Sequence, residues 1–273
     1  MTINFSGDIF TLESLKPAIS ELASDYGYDP VFDAVCELYT ITARHGDERR
    51  VEVMASGDKA EIVFDKKIHF FRALGLLLLE LDRGNREVNI AEDVQFDTNG
   101  PMFDVSQGSA VINLPTLKRF MRNMALLGLN MLMLYCEDSY DVEGEPYFGY
   151  MRSRYSEADM RALDDYADMF GIEMIPCIQT LAHLHEVLKW APYSGISDYA
   201  DCLLVGAEKT YDFIRNMLVS ASRPFRTKRI HIGMDEAWRL GQGEYLIRNG
   251  LVPRVHTYLG YNRSIRQPPL SRS

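Results

Sequence analysis

The sequence predicts an α/β fold in which the first half of a (β/α)8 barrel of the TIM type follows a small α+β domain. Strand-like and helix-like segments alternate from Gly100 onward, and such alternation is typical of a parallel sheet. Only four strand-helix units can be read there, whereas a closed barrel needs eight. The predicted organisation is therefore a small α+β domain at 1–96, a half barrel at 97–259 and a disordered tail at 260–273.

Hydrophobic periodicity defines the elements of the N-terminal region. Apolar residues at helical spacing predict a helix over residues 12–26 and another over 68–81. Residues 51–55 and 60–64 have the composition of two strands, and the Ser-Gly-Asp between them is a typical turn. Because no cluster of titratable side chains stands out here, this domain is interpreted as structural.

The barrel region consists of strands and helices in alternation. The predicted strands cover 102–105, 131–135, 173–178 and 229–234, and the predicted helices cover 117–127, 157–170 and 211–220. In a barrel of this kind, functional groups lie where the strands end at their carboxyl edge. Polar side chains follow the predicted strand ends here: Asp104; Glu137 and Asp138; Gln179, Thr180, His183 and His185; and Asp235 and Glu236.

Composition limits the class of ligand. The 273 residues are 47% hydrophobic and 25% charged, which is typical of a folded globular protein. A formal net charge of −10 disfavours binding to nucleic acid or to an anionic membrane, because both require clustered lysine and arginine. A small ligand that is neutral or of mixed charge fits this balance better.

Cysteine usage and targeting signals indicate the compartment. The four cysteines are widely separated and form no CxxC pair, so we expect buried thiols and neither a zinc ribbon nor a disulfide framework. The opening MTINFSGDIF has no basic patch before an apolar run. The longest apolar stretch, at 73–81, is far shorter than the roughly 20 residues that cross a bilayer. We therefore expect a cytoplasmic protein.

The last 29 residues differ in charge from the rest of the chain, because they contain five arginines and no acidic residue follows Glu244. The final segment, GYNRSIRQPPLSRS, has no apolar periodicity. We therefore expect the fold to be interrupted near Leu259 by a shifted reading frame or a premature end. A natural basic tail is the alternative.

The segment KRIHIGMDEAW at 228–238 is the most informative part of the sequence. An apolar strand there delivers Asp235 and Glu236 to the predicted barrel mouth. Neighbouring side chains of a strand point to opposite faces, so both carboxylates can face one ligand only if the backbone bends. Two adjacent carboxylates repel each other when both are ionised, which raises one pKa and allows that group to act as a general acid.

Four stretches of the barrel region match known motifs. Residues 231–236 read HIGMDE, which has the pattern H-x-G-x-D-E. The stretches NGPMFDVS at 99–106, LNMLMLYCED at 129–138 and GIEMIPCIQTLAH at 171–183 precede it in order. Together they resemble the signature and the first three barrel strands of glycoside hydrolase family 20, the β-N-acetylhexosaminidases. The likeness covers about residues 9–259, and the α+β region resembles the small domain that commonly precedes this barrel.

The resemblance implies hydrolysis of terminal β-linked N-acetylhexosamine with retained configuration and with no cofactor or metal. Glu236 is expected to act as general acid and then as base. Asp235 is expected to orient and charge-stabilise the substrate's own 2-acetamido group, whose carbonyl oxygen attacks the anomeric carbon to give an oxazolinium intermediate. His183 is expected to line the pocket and tune the acid. The other expected sugar-binding residues are Glu137, Asp138 and Trp238.

The sequence departs from the family pattern at two positions and in length. Asn99 stands where many members have an arginine that grips sugar hydroxyls, and Met234 replaces the commoner glycine. Counterparts of barrel strands five to eight are missing. We therefore expect a truncated, weakly active or inactive chain. Its expected partner is an N-acetylhexosamine-terminated glycan, and we also expect homo-oligomers.

Two other classes of function remain open. A metal-dependent barrel hydrolase is suggested by His183 and His185 together with His231 and Asp235, since an HxH pair can bind zinc. Residues 181–190, however, resemble the start of a helix, where side chains two residues apart do not face each other. A non-catalytic carbohydrate-binding remnant is suggested by the missing half barrel, which would leave strand edges exposed.

Overall fold

A computed structural model describes residues 1–35, 38–47, 49–107 and 111–266. The chain divides into two compact units that interleave along the sequence. The first comprises residues 1–101, 113–132 and 162–174, and the second comprises 102–112, 133–161 and 175–273. The domain boundaries inferred from the sequence, 96/97 and 259/260, stay predictions.

The first unit contains a six-stranded mixed sheet with the strand order β2-β1-β3-β5-β4-β6. Its strands are β1 (Thr2–Gly7), β2 (Asp29–Phe32), β3 (Tyr39–His45), β4 (Arg50–Ser56), β5 (Lys59–Phe64) and β6 (Val88–Asp93). Strands β2, β1, β3 and β5 are parallel, whereas β4 is antiparallel to both β5 and β6. Ser56 pairs with Lys59 across a two-residue turn, which confirms the predicted hairpin.

Three helices of the first unit confirm the predicted helical segments. They are α1 (Ile9–Tyr26), α2 (Lys67–Asp82) and α3 (Leu114–Leu127). Local capping fixes the ends of α1 and α3. The Asp8 side chain accepts a hydrogen bond from the Thr11 amide and the Asn113 side chain accepts one from the Thr116 amide, while a left-handed glycine ends each helix. Their apolar faces are buried, with Leu12, Leu15, Ile19, Leu117 and Met121 at most 1% exposed.

A second sheet holds three parallel strands in the order β7-β8-β9. They are β7 (Met102–Asp104), β8 (Met131–Cys136) and β9 (Glu173–Ile178), and α4 (Glu157–Phe170) separates the last two in sequence. In β7 and β8, Met102 pairs with Met133 and Asp104 with Tyr135. The predicted alternation of strand and helix is therefore present up to β9.

The predicted fourth strand, residues 229–234, joins β9 as a parallel bridge rather than as a full strand. Cys177 pairs with His231, whose amide donates to the Pro176 carbonyl at 2.9 Å and whose carbonyl accepts from the Ile178 amide at 2.9 Å. Gly233 has a φ of +46°, far from the extended value of a strand. The prediction was right in place and direction but wrong in length, because the backbone turns at this glycine.

The rest of the second unit is built from short elements and two longer helices. They are α5 (His185–Leu188), a 3₁₀ turn (Ala191–Tyr193), β10 (Ser197–Tyr199), β11 (Cys202–Leu203), α6 (Glu208–Ser222), α7 (Glu244–Asn249) and α8 (Arg254–Arg266). Helix α6 confirms the prediction over 211–220. Cys136, Cys177 and Cys202 are buried free thiols, whereas Cys36 lies outside the described residues.

Helix α8 lies where the sequence predicted an interruption near Leu259 and disorder from residue 260. Tyr261 is fully buried, and its hydroxyl donates to the Thr180 carbonyl. The buried aromatic ring gives residues up to 266 a packed helical structure, which the weak apolar periodicity did not reveal. Residues 267–273 lie outside the described part of the chain.

The membrane prediction can be compared with the helices. Within the described ranges, no helix combines the length and the apolar character that a bilayer span requires.

Candidate active site

The candidate site is formed by residues that follow three neighbouring parallel segments. Glu137 comes directly after β8, His183 comes five residues after β9, and Asp235 and Glu236 follow the segment that pairs with β9. Because the carboxyl ends of parallel strands meet at one edge of a sheet, these side chains converge. The structure thus brings together four of the six site residues expected from the sequence.

His183 lies at the centre of this group. Its Nε2 atom is 3.7 Å from Asp235 Oδ2 and 3.5 Å from Glu236 Oε2, and its Nδ1 atom is 3.8 Å from Glu137 Oε1. The side chains of Asp235 and Glu236 are 58% and 59% exposed. Because these distances are longer than those of direct hydrogen bonds, the carboxylates keep free oxygen atoms toward solvent.

The backbone bends at two residues of the site. His183 has a φ of +58° and Glu236 a φ of +51°, values in the left-handed region that residues with a Cβ rarely adopt. The bend at Glu236 brings its side chain to the same imidazole nitrogen as Asp235. It therefore supplies the departure from strand geometry that the adjacent carboxylates require, and backbone strain of this kind is frequent at active sites.

Gly233 allows the segment before Asp235 to approach β9 closely. A Cβ at this position would lie 2.4 Å from the Ile178 carbonyl oxygen and 2.6 Å from Gln179 Oε1. Because real Cβ atoms do not make such short contacts with backbone, another residue here would displace the segment. Glycine is therefore required at position 233 by space as well as by its positive φ.

A chain of hydrogen bonds links the two ends of the site. Gln179 Nε2 donates to Asp235 Oδ1 at 3.1 Å and to the Tyr135 hydroxyl at 3.1 Å. The Tyr135 hydroxyl donates in turn to Glu137 Oε1 at 3.1 Å. Asp235 and Glu137 are thus connected through one amide and one phenol, beneath the His183 ring that both carboxylates face.

The surroundings shift the pKa values of these two carboxylates in opposite directions. Burial raises the pKa of Glu137, and hydrogen bonds from Tyr135 and Gln107 together with the charge of His183 only partly oppose it. Burial would also raise the pKa of Asp235, but the Gln179 hydrogen bond, a backbone hydrogen bond and the nearby His183 and His231 hold it below the ordinary value. The site therefore favours an ionised Asp235, and a fixed anion beside the exposed Glu236 is suited to acid-base chemistry.

Asp138 lies in a different environment from its neighbour Glu137. Its side chain is 0% exposed, and Arg152 Nε lies 2.7 Å from Asp138 Oδ2. Burial raises the pKa of Asp138, an effect that the Arg152 charge and hydrogen bond oppose. Asp138 is therefore not part of the group around His183, and its expected role in binding sugar hydroxyls stays a prediction.

Trp238 lies at the surface next to the site. Its side chain is 64% exposed, and its amide donates to the Glu236 carbonyl. The Arg254 guanidinium lies 5.4 Å from the centre of the ring. Trp238, Glu236 and Met234 line one shallow groove, so the ring borders the same opening as the Glu236 carboxylate.

Tyr135, Ser106 and Arg152 were missed as functional or supporting residues. Tyr135 precedes Glu137 by two residues, and period-two alternation along β8 places both on one face, so this signal was available. The Ser106 hydroxyl accepts a hydrogen bond from the Glu137 amide at 2.6 Å, which fixes the end of β8. No local sequence pattern connects Ser106 or Arg152 to the strand end that they support.

The proposed metal ligands do not form a coordination group. His185 is 70% exposed and lies 3.3 Å from Glu186, while His231 Nδ1 lies 3.4 Å from Cys177 Sγ. Across the ranges that the structure describes, no group of three histidine, cysteine or acidic side chains is arranged to hold a metal ion. The metal-dependent alternative therefore lacks its ligand set in those ranges.

The fold and the site define the class as an α/β protein with three carboxylates around one histidine at the carboxyl ends of parallel strands. The model of the glycosyl hydrolase family 20 catalytic domain matches residues 99–245, which is more than half of the chain. The chain belongs to glycosyl hydrolase family 20. The matched range contains Glu137, His183, Asp235 and Glu236.

Curated relatives match a shorter stretch. The chain is 27% identical over 122 residues to hexosaminidase D of Homo sapiens, covering 43% of this chain and 25% of that protein. It is also 27% identical over 118 residues to the probable beta-hexosaminidase fdl of Drosophila melanogaster, covering 40% of this chain and 18% of that protein. The matches thus span a quarter or less of these relatives.

Solved structures match nearly the whole chain. The GH20 exo-β-N-acetylglucosaminidase from Vibrio harveyi, in complex with N-acetylglucosamine, aligns with a TM-score of 0.78 at 16% identity and covers 96% of this chain and 49% of that one. The GH20 β-N-acetylhexosaminidase from Streptomyces coelicolor A3(2) aligns with a TM-score of 0.73 at 18% identity and covers 97% and 59%. These likenesses show the α/β fold of this TIM-barrel family. The chain spans about half of each of these solved proteins.

Proposed function

We propose that this chain carries the catalytic carboxylates of a β-N-acetylhexosaminidase that removes terminal β-linked N-acetylglucosamine or N-acetylgalactosamine from a glycan. The observation that carries this proposal is the convergence of Asp235 and Glu236 on His183 Nε2, at 3.7 and 3.5 Å. Membership of family 20 supports it, as do the relatives named hexosaminidase and the N-acetylglucosamine bound to the Vibrio harveyi protein.

In the first step Glu236 is the general acid. The carbonyl oxygen of the substrate's 2-acetamido group bonds to the anomeric carbon, the glycosidic bond breaks, and Glu236 gives its proton to the leaving oxygen. Asp235 orients the acetamido group and stabilises the positive charge of the oxazolinium product. Its lowered pKa suits this role, because a protonated Asp235 would supply no charge.

In the second step Glu236 acts as a base. A water molecule loses a proton to the Glu236 carboxylate and attacks the anomeric carbon, and the bond to the acetamido oxygen breaks. Two successive inversions retain the configuration, and the enzyme needs no carboxylate nucleophile of its own. His183 lies between Glu137 and Glu236. It is close enough to Glu236 to influence both its protonated form in the first step and its ionised form in the second.

The half-barrel organisation is part of the same proposal. We infer that β7, β8, β9 and the segment at 229–234 are the first four strands of a (β/α)8 barrel. Their parallel order and the coverage of about half of the solved family members support this inference. A chain that holds the catalytic carboxylates but only half of the pocket should be weakly active unless further strands complete the barrel.

Hydrolysis of 4-nitrophenyl N-acetyl-β-glucosaminide tests the proposal. Wild-type protein should release nitrophenol, and Glu236→Gln should lower the rate by about 10²-fold to 10⁴-fold. Glu143→Gln is a matched control, because Glu143 is an exposed glutamate that pairs with Arg223 on the surface. A rate unchanged by Glu236→Gln would contradict the site assignment.

The stereochemistry of the released sugar tests the mechanism. Proton NMR during turnover should show the β-anomer first, whereas release of the α-anomer first would contradict substrate assistance. If wild-type protein binds N-acetylglucosamine in calorimetry but shows no turnover, the carbohydrate-binding alternative replaces catalysis. The cytoplasmic location and the homo-oligomeric state stay predictions, which fractionation and sedimentation would test.

A further inference from the structure

Gln179 has an unusual set of contacts at the carboxyl end of β9. The residue is 1% exposed, and its Nε2 atom donates to Asp235 Oδ1 and to the Tyr135 hydroxyl, each at 3.1 Å. A side-chain amide nitrogen carries two hydrogen atoms. Both are therefore committed, one to the carboxylate and the other to the phenol.

The orientation of this amide is fixed by its neighbours. A reversed amide would place Oε1 against the Asp235 carboxylate, where two acceptors would repel each other. The Tyr135 hydroxyl could not rescue that arrangement, because it already donates to Glu137. In the observed orientation Oε1 lies against Gly233, where a Cβ would come within 2.6 Å, and no hydrogen-bond donor reaches it in the described structure.

We propose that Gln179 is a positioning residue that holds Asp235 Oδ1 in place and leaves Oδ2 free for the ligand. Asp235 is a largely exposed side chain on a sharply bent segment, and the Gln179 hydrogen bond to Oδ1 acts together with a backbone hydrogen bond to hold its carboxylate. Oδ2 lies 3.7 Å from His183 Nε2, and the Asp235 side chain as a whole is 58% exposed. The catalytic part of this inference rests on the proposed function, whereas the effect on the Asp235 carboxylate does not.

Two substitutions separate positioning from simple packing. Gln179→Glu keeps the shape of the side chain but replaces the donating amide with a second carboxylate beside Asp235. Gln179→Met keeps the length of the side chain and removes both donors. If Gln179 only fills space, Gln179→Met should leave the ionisation of Asp235 unchanged, whereas the added charge of Gln179→Glu should raise the Asp235 pKa in either case. If it positions and stabilises the anion, Met should raise the pKa of Asp235 and Glu should raise it further.

Titration followed by NMR provides the direct test. The side-chain carboxyl carbons of ¹³C-labelled aspartates are followed with pH, and the Asp235 signal is assigned by its loss in Asp235→Asn. Gln95→Glu is the control, because Gln95 is exposed and its amide donates to the Asp93 carbonyl in the other unit. An Asp235 titration that is unchanged in Gln179→Met, with folding verified by circular dichroism, would overturn the proposal.

Kinetics provide the second test on an active chain. Loss of a hydrogen bond to a charged group should lower kcat by about 10-fold to 100-fold with little change in KM. The acidic limb of the pH profile of kcat/KM should move to higher pH in Gln179→Glu. A change confined to KM would contradict positioning. If the wild-type chain shows no turnover, the proposed function fails while the NMR titration still decides the role of Gln179.

Discussion

Two neighbouring residues, Glu137 and Asp138, belong to regions built on different principles. Glu137 belongs to the His183 cluster, which we define as Glu137, His183, Asp235 and Glu236. In this cluster the His183 ring nitrogens lie 3.5 to 3.8 Å from carboxylate oxygens, and two of the carboxylates are largely exposed. Asp138 faces Arg152 at 2.7 Å, with no exposure of its own side chain and 15% exposure of the arginine.

The difference distinguishes a candidate functional site from a buried structural ion pair. In the Asp138–Arg152 pair the two charges face each other inside the fold, and the Asp138 side chain has no exposed surface that a ligand could reach. In the His183 cluster, three acidic groups surround one imidazole at distances too long for direct hydrogen bonds. That arrangement leaves unfilled capacity to accept hydrogen bonds and to stabilise positive charge. The two regions should therefore respond oppositely to mutation, one in stability and the other in activity.

The largest expected effect is on the buried pair. Arg152→Met leaves the Asp138 carboxylate buried without its partner, which should lower the free energy of unfolding by about 3–5 kcal/mol. Urea denaturation measures this loss. Arg215→Met is the matched control, because Arg215 is 52% exposed and pairs with Asp212 on one turn of α6; it should change stability by less than about 1 kcal/mol. An equal loss of unfolding free energy in the two variants would show that the buried Asp138–Arg152 pair is no more important for stability than a surface ion pair.

Asp235→Asn should have the opposite pattern. Under the proposed mechanism, removing the Asp235 anion should lower turnover of an aryl N-acetyl-β-glucosaminide by about 10²-fold to 10³-fold. Because the side chain is exposed, stability should change by less than about 0.5 kcal/mol. Asp212→Asn is the control, since its side chain is 59% exposed, close to the 58% of Asp235. If Asp235→Asn unfolded the protein, we would conclude that Asp235 has a structural role.

Glu137→Gln sharpens the comparison through pH. Burial raises the pKa of Glu137. The contribution of this group to the free energy of unfolding is therefore fully present at low pH and is lost as the pH rises through the raised pKa. The glutamine variant carries no such charge. It should be more stable than wild type at neutral pH, and the difference should shrink on acidification to pH 4. Urea unfolding across this pH range measures the difference, with Glu143→Gln as the exposed control. A glutamine variant that is less stable than wild type at pH 7 would contradict the expectation.

The smallest effect is expected at Trp238. Its ring borders the groove beside Glu236 but is mostly exposed, so Trp238→Ala should leave the melting temperature nearly unchanged. Loss of an aromatic face for the sugar should raise KM about twofold to tenfold. Trp238→Phe should restore most of the affinity. A large fall in kcat instead would place Trp238 closer to the reacting atoms than its position suggests.

Sequence periodicity predicted those elements whose buried face repeats within the element itself. Helix α4 and strand β9 have the predicted bounds, 157–170 and 173–178. The parallel pairing of β1 with β2 and β3 was not predictable in this way, because partners far apart in the chain decide it. The length of the fourth strand depended on the backbone turn at Gly233, which no hydrophobic pattern encodes.

The site could be predicted in part for the same reason. His183, Asp235 and Glu236 were found because strand ends concentrate functional side chains. The different environments of Glu137 and Asp138 could not be predicted, since the arginine that pairs with Asp138 lies many residues later, at position 152. The packing of Tyr261 was missed as well, because one buried ring decides it rather than a repeating pattern.

The left-handed backbone at His183 and Glu236 has a consequence for directed evolution that selects only for thermostability. A non-glycine residue in such a conformation costs about 1 kcal/mol or more, although histidine tolerates it better than most. Glycine at either position would relieve that strain and remove a side chain of the proposed catalytic centre in the same step. Selection for thermostability alone should therefore enrich glycine at positions 183 and 236 and lower the proposed activity.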